Sequence, residues 1–243
     1  MSRQPPEQQA PPVQRLRIRY AKRGRLRFTS HRDFSRAFER AVFRAQIPMA
    51  YSSGFNPHPR ISYAGAAPTG SASEAEYLEI ALAEVLVPSD IHIALDESLP
   101  AGLDVLDVVD AAELGGSGLA DRLVASRWVI DLQAERDETL RAVSAFAAAP
   151  SVTVERMTKK GLREFDCRAA VVSIEVTEAQ PDDTGARLDL VLRHGVPSVR
   201  PDDVLTGIRS LGGFDLRGAP LLTRLAQGPL DEATGLVGDP LAR

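Results

Sequence analysis

The chain has 243 residues, of which 44% are hydrophobic and 26% are charged, a balance typical of globular proteins. Its single cysteine, Cys167, excludes an internal disulfide and an iron–sulfur cluster held by several thiolates of this chain. The net charge of −4 hides an uneven distribution, because residues 15–44 contain eleven arginines and lysines against two acids. A basic segment in an acidic chain indicates a surface that meets an anionic partner.

The two ends of the chain are predicted to be disordered tails, at residues 1–13 and 227–243. The first is polar and rich in proline, and it lacks the apolar stretch of a signal peptide. The chain has no run of about 18 apolar residues, so no membrane span is predicted. Together with the single thiol, these features predict a cytoplasmic protein without a membrane partner. Cys167 is expected to be an unreactive strand residue.

An alternating pattern opens the first half of the chain. Residues 15–20 place an arginine at every second position, which predicts a half-buried strand. The apolar residues expected to face inward are Leu16, Ile18 and Tyr20. We expect the three arginines to line an open outer face, as in proteins that read RNA on a sheet surface.

A helix is predicted after Ser30, a residue type that commonly caps helices. Its apolar stripe runs from Phe34 to Ala45, and Pro48 ends it. Arginines recur at every fourth position, which predicts a second, basic stripe on another face. These residues are Arg32, Arg36, Arg40 and Arg44.

Two similar patterns of strands and helices follow one another. The first pattern has the order β-α-β-β-α-β of a ferredoxin-like unit. It is completed by strands at 60–64, 75–83 and 103–109 and by a helix from Pro88. After the glycine-rich stretch at 115–118 the pattern restarts. It has strands at 126–133, 151–157, 168–177, 187–193 and 219–225, and helices at 136–148 and after Pro201. We therefore predict an α+β fold of two tandem ferredoxin-like units, a basic domain at 14–112 and a second domain at 120–226.

Four short motifs stand out within these patterns. They are SHRD at 30–33, SGFNPHP at 53–59, G-x-x-S-x-x-E-Y at 70–77 and K-K-G-x-x-x-x-D-x-R at 159–168. Together they resemble the radical SAM-linked protein family, an uncharacterised group, from residue 15 to about residue 200. The resemblance implies an association with radical SAM chemistry, with RNA as a possible substrate.

Some members of that family are fused behind a radical SAM, cobalamin-binding module, and this chain is similar to the stand-alone members. The chain lacks the CxxxCxxC motif that would bind the cluster. We therefore expect a radical SAM enzyme as a partner, rather than radical generation by this chain.

Basic and aromatic residues form the predicted nucleic-acid surface. They are Arg17, Arg19, Lys22, Arg23, Arg25, Arg36, Arg40, Phe55, Lys159 and Lys160. The cations would neutralise phosphates, and an exposed aromatic ring would stack on a base. For Phe55 the alternative interpretation is a loop anchor in the core.

A second set of candidates forms a ligand-binding or motif loop. It comprises His31, Asp33, Ser53, Gly54, Phe55, Asn56, Pro57 and Glu76. Ser53 and Asn56 could satisfy backbone groups or contact a ligand. Glu76 belongs to a group of acids with Glu74 and Glu79, one of which we expect to pair with an arginine rather than act in catalysis.

His31 is the weak candidate for catalysis. A neutral imidazole at a helix start could act as a general base, whereas the alternative is a side chain that fixes the helix start by hydrogen bonds. Asp33, two residues further on, forms a poor catalytic pair with it. No metal site is predicted, because neither an HxxxH nor an HExxH pattern occurs, and no cofactor is predicted.

These observations favour a non-catalytic RNA-binding or adaptor protein that works with a radical SAM enzyme. One alternative is a metal-independent RNA endonuclease or RNA-modifying enzyme that uses His31. Tandem ferredoxin-like units with a helix-start histidine are similar, at the level of fold, to CRISPR repeat-processing endonucleases. The other alternative is a protein-interaction subunit whose arginines meet an acidic partner.

Overall fold

The computed structural model describes residues 8–158, 161–177, 185–213 and 215–242 of an α+β protein. The chain divides into two compact units, called unit 1 and unit 2 below. Unit 1 runs to Arg122 and includes the chain from Leu241, and unit 2 runs from Leu123 to Pro240. The division lies beyond the glycine-rich stretch because a short helix, Leu119–Arg122, follows the glycines and belongs to unit 1.

Unit 1 is a four-stranded antiparallel sheet with helices. Its elements are β1 (Gln14–Lys22), α1 (His31–Arg44), β2 (Ile61–Ala64), β3 (Ala72–Leu82), α2 (Pro88–Ser98), β4 (Val105–Asp110) and α3 (Leu119–Arg122). The strands lie in the order β4-β1-β3-β2. β1 is therefore a central strand, and its residue Arg17 lies opposite Glu79 of β3.

The core of unit 1 lies between one face of this sheet and the helices α1 and α2. Alternate residues of the strands supply one side, and the apolar stripes of the helices supply the other. The core residues include Leu16, Ile18, Tyr20, Leu78 and Ile80 of the strands and Phe34, Phe38, Ile91 and Leu95 of the helices. The inward orientation predicted for β1 is thus confirmed. α1 ends at Arg44, before Pro48, because Gln46 adopts a left-handed conformation with φ 52°.

Unit 2 contains a second four-stranded antiparallel sheet and a separate hairpin. Its elements are β5 (Ala125–Leu132), α4 (Arg136–Ala148), β6 (Thr153–Thr158), β7 (Gly161–Asp166), β8 (Val171–Thr177), β9 (Ala186–Arg193), α5 (Pro201–Gly212) and β10 (Leu221–Gly228). The strands of the sheet lie in the order β10-β5-β9-β8, and β6 pairs with β7.

The second strand of the hairpin is the main element that the sequence patterns missed, since the first strand was predicted at 151–157. Residues 161–166 form β7, and its Gly161 pairs with Thr158 at a φ of 104° that favours glycine. Cys167 follows β7 instead of lying within a strand, and it is fully buried. α5 packs closely there, since a Cβ on Gly207 would lie 2.6 Å from the Cys167 sulfur.

The C-terminal segment differs from the predicted tail at 227–243. Leu230 and Val237 form an isolated bridge, and the Asp231 carboxylate accepts a hydrogen bond from the Ala233 amide at 2.9 Å. Such an Asx turn orders a short segment without a helix or strand. Of the predicted N-terminal tail, residues 1–7 lie outside the described residues, and 8–13 have no regular structure. Every helix in the described ranges is too short or too polar to cross a bilayer.

Candidate nucleic-acid interface

The arginines of β1 are paired with acids of β3. Arg15 and Arg17 both donate to the Glu79 carboxylate, at 2.9 and 3.2 Å. Arg17 also donates to the Ser117 carbonyl at 2.6 Å and is only 4% exposed. The outer face of β1 is therefore not the open arginine surface that the alternating pattern predicts. Because its guanidinium is buried and paired, Arg17 is placed to stabilise the sheet instead of contacting a phosphate.

The basic residues at the end of β1 are also held by neighbouring groups. Arg19 donates to the Glu74 carbonyl at 2.8 Å, and Lys22 is 5% exposed with its amine 3.4 Å from the Pro68 carbonyl. Arg23 donates to the Glu74 carboxylate at 2.7 Å and to Asp104 at 2.7 Å. The hydrogen bond that Arg23 donates to Glu74 is the main cause that raises the Arg23 pKa. The predicted pairing of an acid with an arginine is thus confirmed for Glu74 and Glu79.

Glu76, the third acid of this group, anchors a loop. It is 2% exposed, and both carboxylate oxygens lie within 3.3 Å of the Ala67 amide that donates to them. It lies opposite Tyr20, on the sheet face that the helices cover. A carboxylate in this position holds the loop before β3 against the core.

The arginines of α1 are in a different situation. Arg32, Arg36 and Arg40 are exposed, and within the described part of the chain their guanidinium groups form no ion pair or hydrogen bond. At about 100° per residue they lie within a sector about 80° wide, and Phe43 lies in the same sector. We call Arg32, Arg36, Arg40 and Phe43 the α1 stripe.

Other charged residues lie close to the α1 stripe in the sequence. Arg25, in a 3₁₀ turn before α1, is exposed and likewise forms no ion pair with a described residue. Asp33 and Glu39 are the acids next to the α1 stripe along the chain, and neither makes an ion pair with it among the described residues. The charge of Glu39 acts on Tyr63, whose pKa is raised mainly by burial and further by this charge. The positive charge of the α1 stripe is thus left largely uncompensated.

His31 starts α1 but does not cap it. Ser30 is the cap, since its hydroxyl accepts from the Asp33 amide at 3.2 Å and donates to the Asp33 carboxylate at 2.6 Å. The His31 ring packs edge-on against Tyr63, with ring centres 4.9 Å apart. Because Ser30 holds Asp33, no carboxylate orients the imidazole from that position. The contacts of His31 are those of a packing residue at a helix start.

The SGFNPHP loop is closed by its own backbone and by serine side chains. Tyr51 and Pro59 form a bridge, and the His58 amide donates to the Ser52 hydroxyl at 3.0 Å. The Ser53 hydroxyl accepts from the Gln9 amide at 3.0 Å. Phe55 is 60% exposed, so it is not a core anchor. Gly54 and Asn56 lie in a bend at residues 53–56, and Pro57 follows it.

A scan against family models places the chain in a known group. The model described as "Uncharacterized protein conserved in bacteria (DUF2344)" matches residues 15–201. The chain belongs to this family. The matched region begins in β1 and ends at the first residue of α5, so it includes the β1 arginines, the α1 stripe and the SGFNPHP loop. A search of curated proteins gave no match.

The DUF2344 region contains three further features that bear on the sequence predictions. Lys159 and Lys160 lie outside the described residues. Burial is the main cause that raises the pKa of the Cys167 thiol to about 11, which keeps it protonated at neutral pH. In the described part of the chain, no group of three His, Cys, Asp or Glu side chains is placed to hold a metal ion.

Proposed function

We propose that this protein binds RNA through the α1 stripe and acts without catalysis, as an RNA-binding or adaptor protein. The observation that supports the proposal is the set of three exposed guanidinium groups one turn apart, none of which forms an ion pair with a described residue. Guanidinium groups bind phosphates through paired hydrogen bonds. Neighbouring turns place successive groups about 6 Å apart along the helix, so one anionic backbone can contact several of them.

The packing of α1 in unit 1 does not explain the presence of these arginines. α1 is held on the sheet by Phe34, Phe38, Ala41 and Val42, which are all buried. The arginines lie on another face, and in the described part of the chain only Arg44 reaches a neighbouring element, where it donates to the Ser98 carbonyl at 3.1 Å. A surface with positive charge and no internal partner fits an external anion.

The test compares two double variants with the same change in charge. Arg36→Gln/Arg40→Gln removes two charges of the α1 stripe. Arg136→Gln/Arg141→Gln removes two exposed arginines of α4, which also make no ion pair with a described residue. Binding of a fluorescent mixed-sequence RNA is measured by anisotropy at a series of salt concentrations.

We expect the α1 variant to bind at least tenfold more weakly at low salt, and the slope of log K against log salt to fall by about 1.5. The α4 variant should bind like the wild type, because its arginines lie among Asp137 and Glu138 and do not form a stripe. An equal loss in both variants would mean that net charge, and not the α1 stripe, drives binding. Absence of RNA binding together with capture of an acidic protein would favour the protein-interaction subunit.

A radical SAM enzyme as partner is part of the proposal, and it rests on the family resemblance of the four motifs. The single cysteine supports a partner role, since one buried thiol cannot hold a cluster that takes several thiolates. A cytoplasmic location is also proposed, because a lone reduced thiol suits a reducing compartment. Co-purification of a tagged chain from cells, with and without nuclease, tests whether a cluster-containing enzyme is bound directly or through RNA.

We further propose that both units are ferredoxin-like. Each has the chain order β-α-β-β-α-β, if the hairpin β6–β7 is counted as an insertion. The strand orders β4-β1-β3-β2 and β10-β5-β9-β8 are equivalent when the strands of each sheet are numbered from one to four. Both observations, the chain order and the strand order, concern topology, and they favour two related units.

A further inference from the structure

We infer that the RNA bound by the α1 stripe is single-stranded and that Phe43 stacks on one of its bases. This inference rests on the proposed function, which it extends from RNA in general to one class of RNA. It depends on the exposure of Phe43, on its position relative to the arginines, and on the shape of a helix surface.

The exposed phenylalanines of the described chain are all in unit 1. Phe34, Phe38, Phe146 and Phe165 are at most 9% exposed and belong to the cores. By contrast, Phe28 is 67%, Phe43 is 84% and Phe55 is 60% exposed. A single exposed apolar residue is ordinary on a protein surface. Two of these exposed rings, Phe28 and Phe43, lie within the basic segment 15–44, a pattern that suits nucleic-acid binding.

Phe43 lies in line with the guanidinium groups. It is three residues beyond Arg40 and seven beyond Arg36, so all three side chains project from one side of α1. The distance along the helix axis from Arg32 to Phe43 is about 16 Å at a rise of 1.5 Å per residue. An RNA backbone that follows the three arginines would therefore bring a base to the ring at the C-terminal end of the α1 stripe.

A second exposed ring lies just before the other end of α1. Phe28 precedes the Ser30 cap, and the Arg27 guanidinium carbon lies 6.0 Å from the centre of its ring. Arg27 is itself held by the Gly70 carbonyl at 2.6 Å. A pre-positioned cation beside an aromatic ring is a further feature of surfaces that bind unpaired nucleotides.

The shape of the surface favours an unpaired strand over a duplex. The major groove of A-form RNA is deep and narrow, so side chains on a helix cannot reach its bases. In a duplex the bases are stacked on one another and are not available to a ring such as Phe43. Single strands expose both a backbone and free base faces, which match arginines and an aromatic ring in one line.

The experiment uses the full chain and two defined probes, a 12-nucleotide single-stranded RNA without self-complementarity and a 12-base-pair RNA duplex. Phe43→Leu keeps an apolar side chain but removes the aromatic face, whereas Phe43→Trp keeps an aromatic face. Leu140→Ala, which changes a 44% exposed residue of α4, is the control. Near-UV circular dichroism of the tyrosines checks that unit 1 is folded, since all four tyrosines lie in it.

We expect the wild type and Phe43→Trp to bind the single strand at least tenfold more tightly than the duplex. Phe43→Leu should lose about tenfold on the single strand and nothing on the duplex. The tryptophan fluorescence of Phe43→Trp should change when the single strand is added, with no change for a parent that contains only Trp128.

Two results would overturn the inference while leaving the proposed function intact. One is a Phe43→Leu variant that binds the single strand like the wild type while Arg36→Gln/Arg40→Gln binds weakly. The other is a wild type that binds the duplex as tightly as the single strand. If Arg36→Gln/Arg40→Gln also bound like the wild type, the proposed function itself would fail.

Discussion

The arginines of β1 and those of α1 occur in one short stretch of sequence, yet they have opposite surroundings. Arg15 and Arg17 both pair with Glu79. Arg23 pairs with Glu74 and Asp104. Arg32, Arg36 and Arg40 face solvent with no acidic partner among the described residues. The difference shows that basic residues that follow one another in the sequence do not form one functional surface in the fold. Three of these arginines neutralise acids within unit 1, and three others are available to an outside partner.

Unit 2 repeats the first of these two patterns. Arg127 of β5 pairs with Asp189 of β9, and Arg187 of β9 pairs with Asp131 of β5 at 2.6 Å. The hydrogen bond that Arg127 donates to Asp189 is the main cause that raises the Arg127 pKa. Cross-strand pairing of this kind is a usual way for a sheet to hold charged side chains. Alternating arginines in a strand therefore indicate sheet pairing at least as well as nucleic-acid binding.

The largest effect should follow from removing the acid that serves β1. Glu79→Ala would leave the buried Arg17 guanidinium without its counter-charge, and such a loss typically costs about 3–5 kcal/mol. The free energy of unfolding is measured by urea denaturation, with the tyrosine signal reporting on unit 1. The control is Glu39→Ala, which removes an exposed acid of α1 and should change stability by at most about 0.5 kcal/mol. Equal, small changes in both variants would remove the distinction between the two arginine sets.

The second effect concerns His194, a half-buried side chain of unit 2 whose two ring nitrogens both form hydrogen bonds. Its Nδ1 lies 2.8 Å from the Leu123 carbonyl and its Nε2 lies 2.9 Å from the Ser126 hydroxyl. The first contact requires Nδ1 to donate, so Nε2 accepts from Ser126, which in turn accepts from the Trp128 indole at 2.8 Å. Burial is the main cause that lowers the His194 pKa, and the charge of Arg224 adds to it.

His194→Ala should cost about 1–3 kcal/mol at pH 8, because it leaves Ser126 and the Leu123 carbonyl without this partner. The wild type should also lose stability as the pH falls below the ordinary histidine value of about 6.5, since the unfolded chain then binds a proton that the folded chain resists. Trp128, the only tryptophan, reports the unfolding of unit 2 directly. His194→Ala should show less of this acid-side loss, and an unchanged pH dependence would contradict the role assigned to the ring.

The contrast between β1 and α1 also explains how far the sequence could predict the interface. Local patterns were sufficient for the inward residues of β1, the Ser30 cap and the two stripes of α1, because each depends on spacing within one element. The partner of Arg17 is 62 residues away in the chain, so only the register of β1 and β3 identifies it. Likewise, the exposure of Phe43 depends on which side of α1 faces the sheet. The strand at 151–157 was predicted and is β6, whereas β7 was missed because its residues alternate too weakly between apolar and polar.

The smallest change in stability is expected at the residues that the proposed function needs most. Replacing Arg25, Arg32, Arg36 and Arg40 together by Gln removes four positive charges that make no ion pair with a described residue. Surface substitutions of this kind usually change stability by at most about 0.5 kcal/mol each, and Gln forms helices about as well as Arg. The tyrosine-detected urea midpoint should therefore stay close to that of the wild type, in contrast to Glu79→Ala. A large loss of stability would show that these arginines serve the fold of unit 1 as those of β1 do. An unchanged midpoint, together with weakened RNA binding, would separate the two arginine sets by function.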